Sequence, residues 1–209
     1  MHITPLALLT LASAALAAPR VETRQTTTPP PHQVTVSGIT TSGSGCPQGS
    51  VGQFLSADRT VFTLIFDSYI AQIGPGIAAA ESRKFCQINL NLHYPQGFQY
   101  SIMKTLYRGF ANLDKGVTGS QEATYYFSGQ PTQVSTKSTF TGPLLQDYKV
   151  EDDLTLTSTI WSPCGADLPI NIKTSVNLVA SVKGAQGVLT DDSVDGNVTM
   201  VTGVRWRSC

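Results

Sequence analysis

Apolar and polar residues alternate with a period of two along much of this chain. Cys86, Ile88, Leu90, Leu92 and Tyr94 share one parity, and Gln87, Asn89, Asn91 and His93 hold the other. From Ile170 the pattern recurs through Ile172, Thr174, Val176, Leu178, Ala180 and Val182, opposite Asn171, Lys173, Ser175, Asn177 and Ser181. It returns in Val198, Met200, Thr202, Val204 and Trp206, opposite Asn197, Thr199, Arg205 and Arg207. Successive side chains of a strand point to opposite faces, so each run predicts a strand with one buried and one wetted side. Asp153 to Trp161 is rich in Thr, Leu and Ile, which strands favour. Turn signals separate the runs: Gly74-Pro75-Gly76, Tyr94-Pro95-Gln96-Gly97, Asp114-Lys115-Gly116, Gly142-Pro143 and Asp195-Gly196. Ile77 to Glu81 is the one helix-like stretch, a turn or two long. The expectation is an all-β antiparallel β-sandwich of about seven to nine strands, with a barrel as the alternative.

The ends of the chain read differently. Ile3 to Ala18 carries no charge, and Ala15-Leu16-Ala17 forms a small-x-small cleavage signal, so residues 1–17 read as a secretory signal peptide. The apolar run is too short to span a bilayer. Residues 18–45, with Thr26-Thr27-Thr28-Pro29-Pro30-Pro31 and Thr40-Thr41-Ser42-Gly43-Ser44-Gly45, read as a flexible tail that can hold a short strand over Val34 to Ile39. Residues 46–209 remain for the folded domain. An extracellular location follows, without membrane insertion.

Cys46, Cys86, Cys164 and Cys209 suit that compartment. Four cysteines allow three pairings, and none forms C-x-x-C. Pairing in sequence order, Cys46 with Cys86 and Cys164 with Cys209, keeps both loops local and is the expected arrangement.

Composition narrows function mainly by exclusion. Lys and Arg total 14 and Asp and Glu total 14, a formal charge of zero, which excludes a bulk polybasic nucleic-acid binder. Charged residues are only 13% of the chain, so water is met by Ser, Thr, Asn and Gln. The expected state is a monomer.

Candidate chemistry is sparse. After signal cleavage only His32 and His93 remain, and no G-x-S-x-G elbow exists. Asp191-Asp192-Ser193-Val194-Asp195-Gly196 resembles the start of a calcium loop, with Asp191, Asp192 and Asp195 as ligands, but Thr202 stands where the bidentate Glu belongs. An acidic hairpin turn is the competing reading. Glu151-Asp152-Asp153 is a second acidic cluster that can complete a calcium site if it meets the first. Seven or so scattered carboxylates single out no hydrolytic pair. Tyr125 and Tyr126 must face opposite ways, so one of them is expected at the surface. Asn197-Val198-Thr199 is an N-glycosylation sequon, with Asn197 next to a turn.

Several stretches together resemble one family. They are Gly43-Ser44-Gly45-Cys46-Pro47-Gln48-Gly49-Ser50, Phe66-Asp67-Ser68-Tyr69, Ile73-Gly74-Pro75-Gly76, Arg83-Lys84-Phe85-Cys86-Gln87-Ile88-Asn89-Leu90 and Tyr94-Pro95-Gln96-Gly97-Phe98-Gln99-Tyr100. Tyr107-Arg108-Gly109, Tyr126-Phe127-Ser128-Gly129, Trp161-Ser162-Pro163-Cys164-Gly165 and Trp206-Arg207-Ser208-Cys209 complete the series. From about Gly43 to Cys209 the chain resembles the fungal secreted proteins grouped as domain of unknown function 4360. The resemblance implies a β-rich extracellular domain with four half-cystines and brings no catalytic residues. Arg83, Lys84, Tyr107 and Arg108 suggest a cationic-aromatic rim near the Cys86 strand, able to bind an anionic ligand or glycan. Pairing of these cations with Glu81 or Asp67 is the structural alternative. The functional expectation is a secreted, non-enzymatic domain acting at a fungal cell wall or host surface, with wall polysaccharide or a host surface protein as partner. A hydrolase using a carboxylate pair and an effector that binds a host protein are the alternatives.

Overall fold

The computed structural model describes residues 28–57, 61–154, 160–165, 167–191 and 198–209. The expected signal peptide and the tail through Thr27 lie outside the described residues.

Twelve strands, all paired antiparallel, are present among the described residues. They are β1 (Thr35–Ser42), β2 (Val51–Leu55), β3 (Val61–Phe66), β4 (Ile70–Ile73), β5 (Arg83–His93) and β6 (Phe98–Leu113), then β7 (Val117–Phe127), β8 (Gln133–Thr141), β9 (Leu144–Asp153), β10 (Ile170–Ala180), β11 (Gly187–Thr190) and β12 (Val198–Ser208). One sheet runs β1-β5-β10-β7-β8. The other runs β2-β3-β12-β6-β11-β4, with β9 along the far edge of β6. The predicted helical stretch is a single 3-10 turn, Ala79–Ser82.

The two sheets face each other across one core. Tyr100 of β6 meets Phe127 of β7 edge to face at 5.2 Å, and Phe140 of β8 meets Tyr148 of β9 at 4.5 Å. Cys86, Ile88, Leu90 and Leu92 from β5 and Ile170, Ile172, Val176 and Leu178 from β10 fill the layer between. The predicted alternation therefore holds along β5 and in β10 from Ile172 to Leu178, whereas Asn171, expected on the wetted side, is buried and Val182, expected on the buried side, is exposed beyond the end of β10. Antiparallel sandwiches bury one face of each sheet in this way.

Three turns do more than reverse the chain. Tyr94-Pro95-Gln96-Gly97, Asp114-Lys115-Gly116 and Gly142-Pro143 carry it from one sheet to the other, since β5, β7 and β8 lie in the first and β6 and β9 in the second. Gly97 (φ 87°) and Gly116 (φ 86°) take left-handed dihedrals there that a side chain would resist.

Residues 35–42 form the short strand expected over Val34 to Ile39, starting one residue later and running on to Ser42, so this part of the expected tail is ordered. They form β1, hydrogen-bonded along β5. A bulge between Val36 and Gly38 sets Val36 opposite Leu92 and Ile39 opposite Leu90, so residues three apart both pack on the core. That extra residue hides the period of two from sequence inspection.

Both disulfides follow sequence order. Cys46–Cys86 (Cα–Cα 5.4 Å) ties the loop before β2 to the five-stranded sheet, and Cys164–Cys209 (6.0 Å) ties the C-terminus to the segment beside β6.

Candidate functional site

The outer face of the five-stranded sheet concentrates amides and hydroxyls. Register puts Ser42, Gln87, Lys173, Thr124 and Ser135 in one row across the strands. Thr40, Asn89, Asn171, Tyr126 and Gln133 form the next. The amides interlock: Gln87 Nε2 donates to Asn89 Oδ1 (3.3 Å) and Asn171 Oδ1 (3.4 Å), and Asn89 Nδ2 donates to Thr40 Oγ1 (3.3 Å). Asn171 Nδ2 donates to Ser128 Oγ at 2.9 Å, and the Thr124 and Ser135 hydroxyls meet at 2.9 Å. Each amide offers both donor and acceptor, so the face presents alternating polarity with little charge.

Two aromatic rings border this face. Tyr126 is half-buried beside Asn171, whereas Tyr125 points into the core. At the other end Phe85, 41% exposed, joins Ser44, Ala80, Arg83 and Lys173 around a shallow depression of about 550 Å³. Neither Arg83 nor Lys173 has an ion-pair partner among the described residues. The depression is thus locally positive, while Glu122 is held by Lys137 at 2.6 Å farther across the sheet.

The expected rim of Arg83, Lys84, Tyr107 and Arg108 is not one surface. Arg83 lines the depression, but Lys84 turns away and pairs with Glu81 at 2.7 Å, the structural alternative. Tyr107 and Arg108 belong to the other sheet. Tyr107 is buried against the Tyr125 hydroxyl, and Arg108 lies on the opposite exterior, across from Lys149. The cause is a second bulge: Val204 pairs with Ile102 but Gly203 pairs with Lys104, skipping Met103. Parity counted from Phe98, Tyr100 and Ile102 would send Tyr107 outward; the skipped residue turns it inward.

The acidic clusters are also divided by strand geometry. Glu151 and Asp153 face solvent beside Lys104 (2.6 and 4.0 Å), while Asp152 points inward. Asp152 Oδ2 accepts hydrogen bonds from Tyr125 (3.2 Å) and Thr136 (2.5 Å), and the Tyr125 and Tyr107 hydroxyls are 2.5 Å apart. Burial raises the Asp152 carboxyl above the usual range, against the pull of the two hydroxyls. Burial likewise pushes up the Tyr69, Tyr107 and Tyr125 phenols, with Asp191 reinforcing it at Tyr69 and Asp152 at Tyr125. Asp191 is itself buried, accepting a hydrogen bond from Tyr148 at 3.1 Å, so it sits in the sandwich interior and not on an exposed loop rim. Asp192, Asp195 and Asn197 lie outside the described residues. Among the described residues no group of three or more His, Cys, Asp or Glu converges to hold a metal.

Sequence inspection registered Gln87, Asn89, Asn171 and Lys173 as wet-face residues but did not bring them together. Which strands are neighbours is what assembles them, and alternation carries no such signal.

Comparison with known proteins identifies the family. The family described as Domain of unknown function (DUF4360) matches residues 32–209, which includes β1 and extends the resemblance beyond its expected start at Gly43. A protein of Arthroderma benhamiae described as an uncharacterized secreted protein is 51% identical over 181 residues, 87% of this chain and 74% of that one. Among solved structures, the TmCBM61 complex with β-1,4-galactotriose is 12% identical with a TM-score of 0.28, covering 83% of this chain and 90% of that one. The enzymatically active domain of bacteriophage CBA120 tailspike protein 4 is 13% identical with a TM-score of 0.22, covering 86% and 20%. Both scores are too low to show a shared fold. No helix among the described residues is long and apolar enough to cross a membrane. The chain belongs to the Domain of unknown function (DUF4360) family, as a secreted, disulfide-bonded, all-β fungal protein.

Proposed function

We propose that this protein binds glycan outside the cell, at a wall or host surface, through the outer face of its five-stranded sheet. One observation carries the reading: the joined amides of Gln87, Asn89 and the more buried Asn171, bordered by the half-buried ring of Tyr126 and the exposed ring of Phe85. Sugars present hydroxyls that both donate and accept, with apolar C–H faces between them. Amides answer the first and aromatic faces the second. The three described glutamates support binding over hydrolysis, because each is held by a lysine on a different part of the molecule: Glu81 by Lys84, Glu122 by Lys137 and Glu151 by Lys104. Sedimentation with insoluble chitin, glucan and cell-wall preparations tests the reading. The wild type should be retained on at least one, and Tyr126→Ala combined with Asn89→Ala should weaken retention about tenfold. Equal retention of the variant, or no retention of the wild type, would refute it.

A further inference from the structure

A second feature lies on the exterior of the other sheet and does not depend on the glycan reading. Arg205 and Arg207 are two residues apart on β12, so both side chains leave the same face, about 7 Å apart along the strand. Both stand over one indole, that of Trp161. The Arg207 guanidinium carbon is 4.0 Å from the ring centroid and that of Arg205 is 5.9 Å away. Arg207 is further fixed by Nε donating to Gln99 Oε1 at 2.9 Å, and Gln99 Nε2 in turn donates to the Ser162 carbonyl at 2.6 Å.

The supporting frame is stapled. Cys164–Cys209 joins the segment carrying Trp161 to the end of β12. The Ser162 amide donates to the Tyr100 carbonyl at 2.9 Å, and Tyr94 Oη donates to the Pro163 carbonyl at 2.8 Å. Neither arginine has a carboxylate partner among the described residues. Two like charges share one ring with no counter-charge among the described residues, which leaves donors for a ligand. With Nε committed to Gln99, the terminal amino groups of Arg207 and the whole fork of Arg205 have no hydrogen-bond partner among the described residues. A guanidinium fork matches the paired oxygens of a carboxylate or phosphate, and the stack on Trp161 pre-orders it.

We propose that Trp161, Arg205, Arg207 and Gln99 form a binding site for an oxyanion-bearing polysaccharide, with the indole positioning the guanidinium groups and the two arginines engaging successive anionic groups. Affinity electrophoresis of the full secreted chain tests it at low salt, in gels containing polygalacturonate (carboxylate), phosphomannan (phosphate) or neutral mannan. The wild type should be retarded at least tenfold more by one or both polyanions than by the neutral polymer, and the retarding gel identifies the anion. Arg205→Gln with Arg207→Gln should weaken retardation at least tenfold, while Lys137→Ala, which removes an exposed cation from the five-stranded sheet, leaves it intact. Arg205→Lys with Arg207→Lys keeps the charge but loses the fork, and should recover only part of it. Tryptophan fluorescence titrated with the retarding polymer gives a second reading, and Trp161→Phe should abolish its change. Absence of retardation, a Gln variant that binds as the wild type does, or a Lys variant equal to the wild type would overturn the proposal.

Discussion

Tyr125→Phe tests the buried hydroxyl–carboxylate chain most directly. It deletes one oxygen, which contacts the Tyr107 hydroxyl at 2.5 Å and donates to Asp152 at 3.2 Å. Two buried groups then lose a partner, while ring packing is kept. Leaving a buried polar group short costs about 1–3 kcal/mol, and because Asp152 keeps its bond from Thr136 the combined loss falls at the low end, about 2–3 kcal/mol, a fall in Tm of roughly 4–12 °C for a domain of this size. The loss should also depend on pH. Burial already lifts the Asp152 carboxyl above its value in the unfolded chain, and the Tyr125 hydroxyl is one of the two groups restraining that rise. A native state that holds a proton more tightly than the unfolded state is favoured at low pH, and it loses that advantage as pH rises through the folded pKa. Without the Tyr125 donor the folded pKa moves higher still. The deficit should therefore be smaller near about pH 4 and larger near about pH 7. Urea unfolding followed by tryptophan fluorescence at both values measures it. A deficit that does not change with pH, or one under about 0.5 kcal/mol at neutral pH, would refute the reasoning. Asp152→Asn in the same background should remove the pH dependence.

Four further outcomes are expected. Replacing Cys46 and Cys86 by Ser frees a loop with a sequence separation of 40, worth about 4 kcal/mol of chain entropy, and unchanged unfolding in denaturant would contradict that. Gly109→Ala should destabilise by about 1–3 kcal/mol in the same assay, because a Cβ there falls on the Thr190 carbonyl and the Tyr148 ring. Lys137→Ala, which breaks an exposed pair with Glu122, should shift stability by less than about 1 kcal/mol; a larger shift would mark a structural role. The sequon at Asn197 predicts an N-glycan on protein secreted from a eukaryotic host, seen as a mass decrease on enzymatic deglycosylation.

Where the sequence was readable, the residues alternated without interruption. β5, and β10 from Ile172 to Leu178, show the inward and outward sets that period-two counting assigns, and the Tyr125/Tyr126 pair splits as a strand requires. Reading failed at the bulges. One in β1 hid the full length of a strand expected to end at Ile39, and one in β6 reversed the parity that decides where Tyr107 points. Adjacent acidic residues misled for a related reason. In Glu151-Asp152-Asp153 neighbours in sequence face opposite sides, so the cluster cannot act as one group.

The sequence by itself determined the secretion-type leader as an expectation, the strand-rich all-β class, the sequential disulfide pairing and the identity of most wet-face residues. Those properties are local: they follow from side-chain alternation, turn residues and short loop closures. Only the tertiary structure decided that β5 lies between β1 and β10 and that β10 lies beside β7, which brings Gln87, Asn89, Asn171 and Tyr126 onto one surface. Only it could place Trp161 beneath Arg205 and Arg207, more than 40 positions away along the chain. Strand order is fixed by how two sheets bury their apolar faces together. That is a property of the whole packed core, and alternation within any one strand is blind to it.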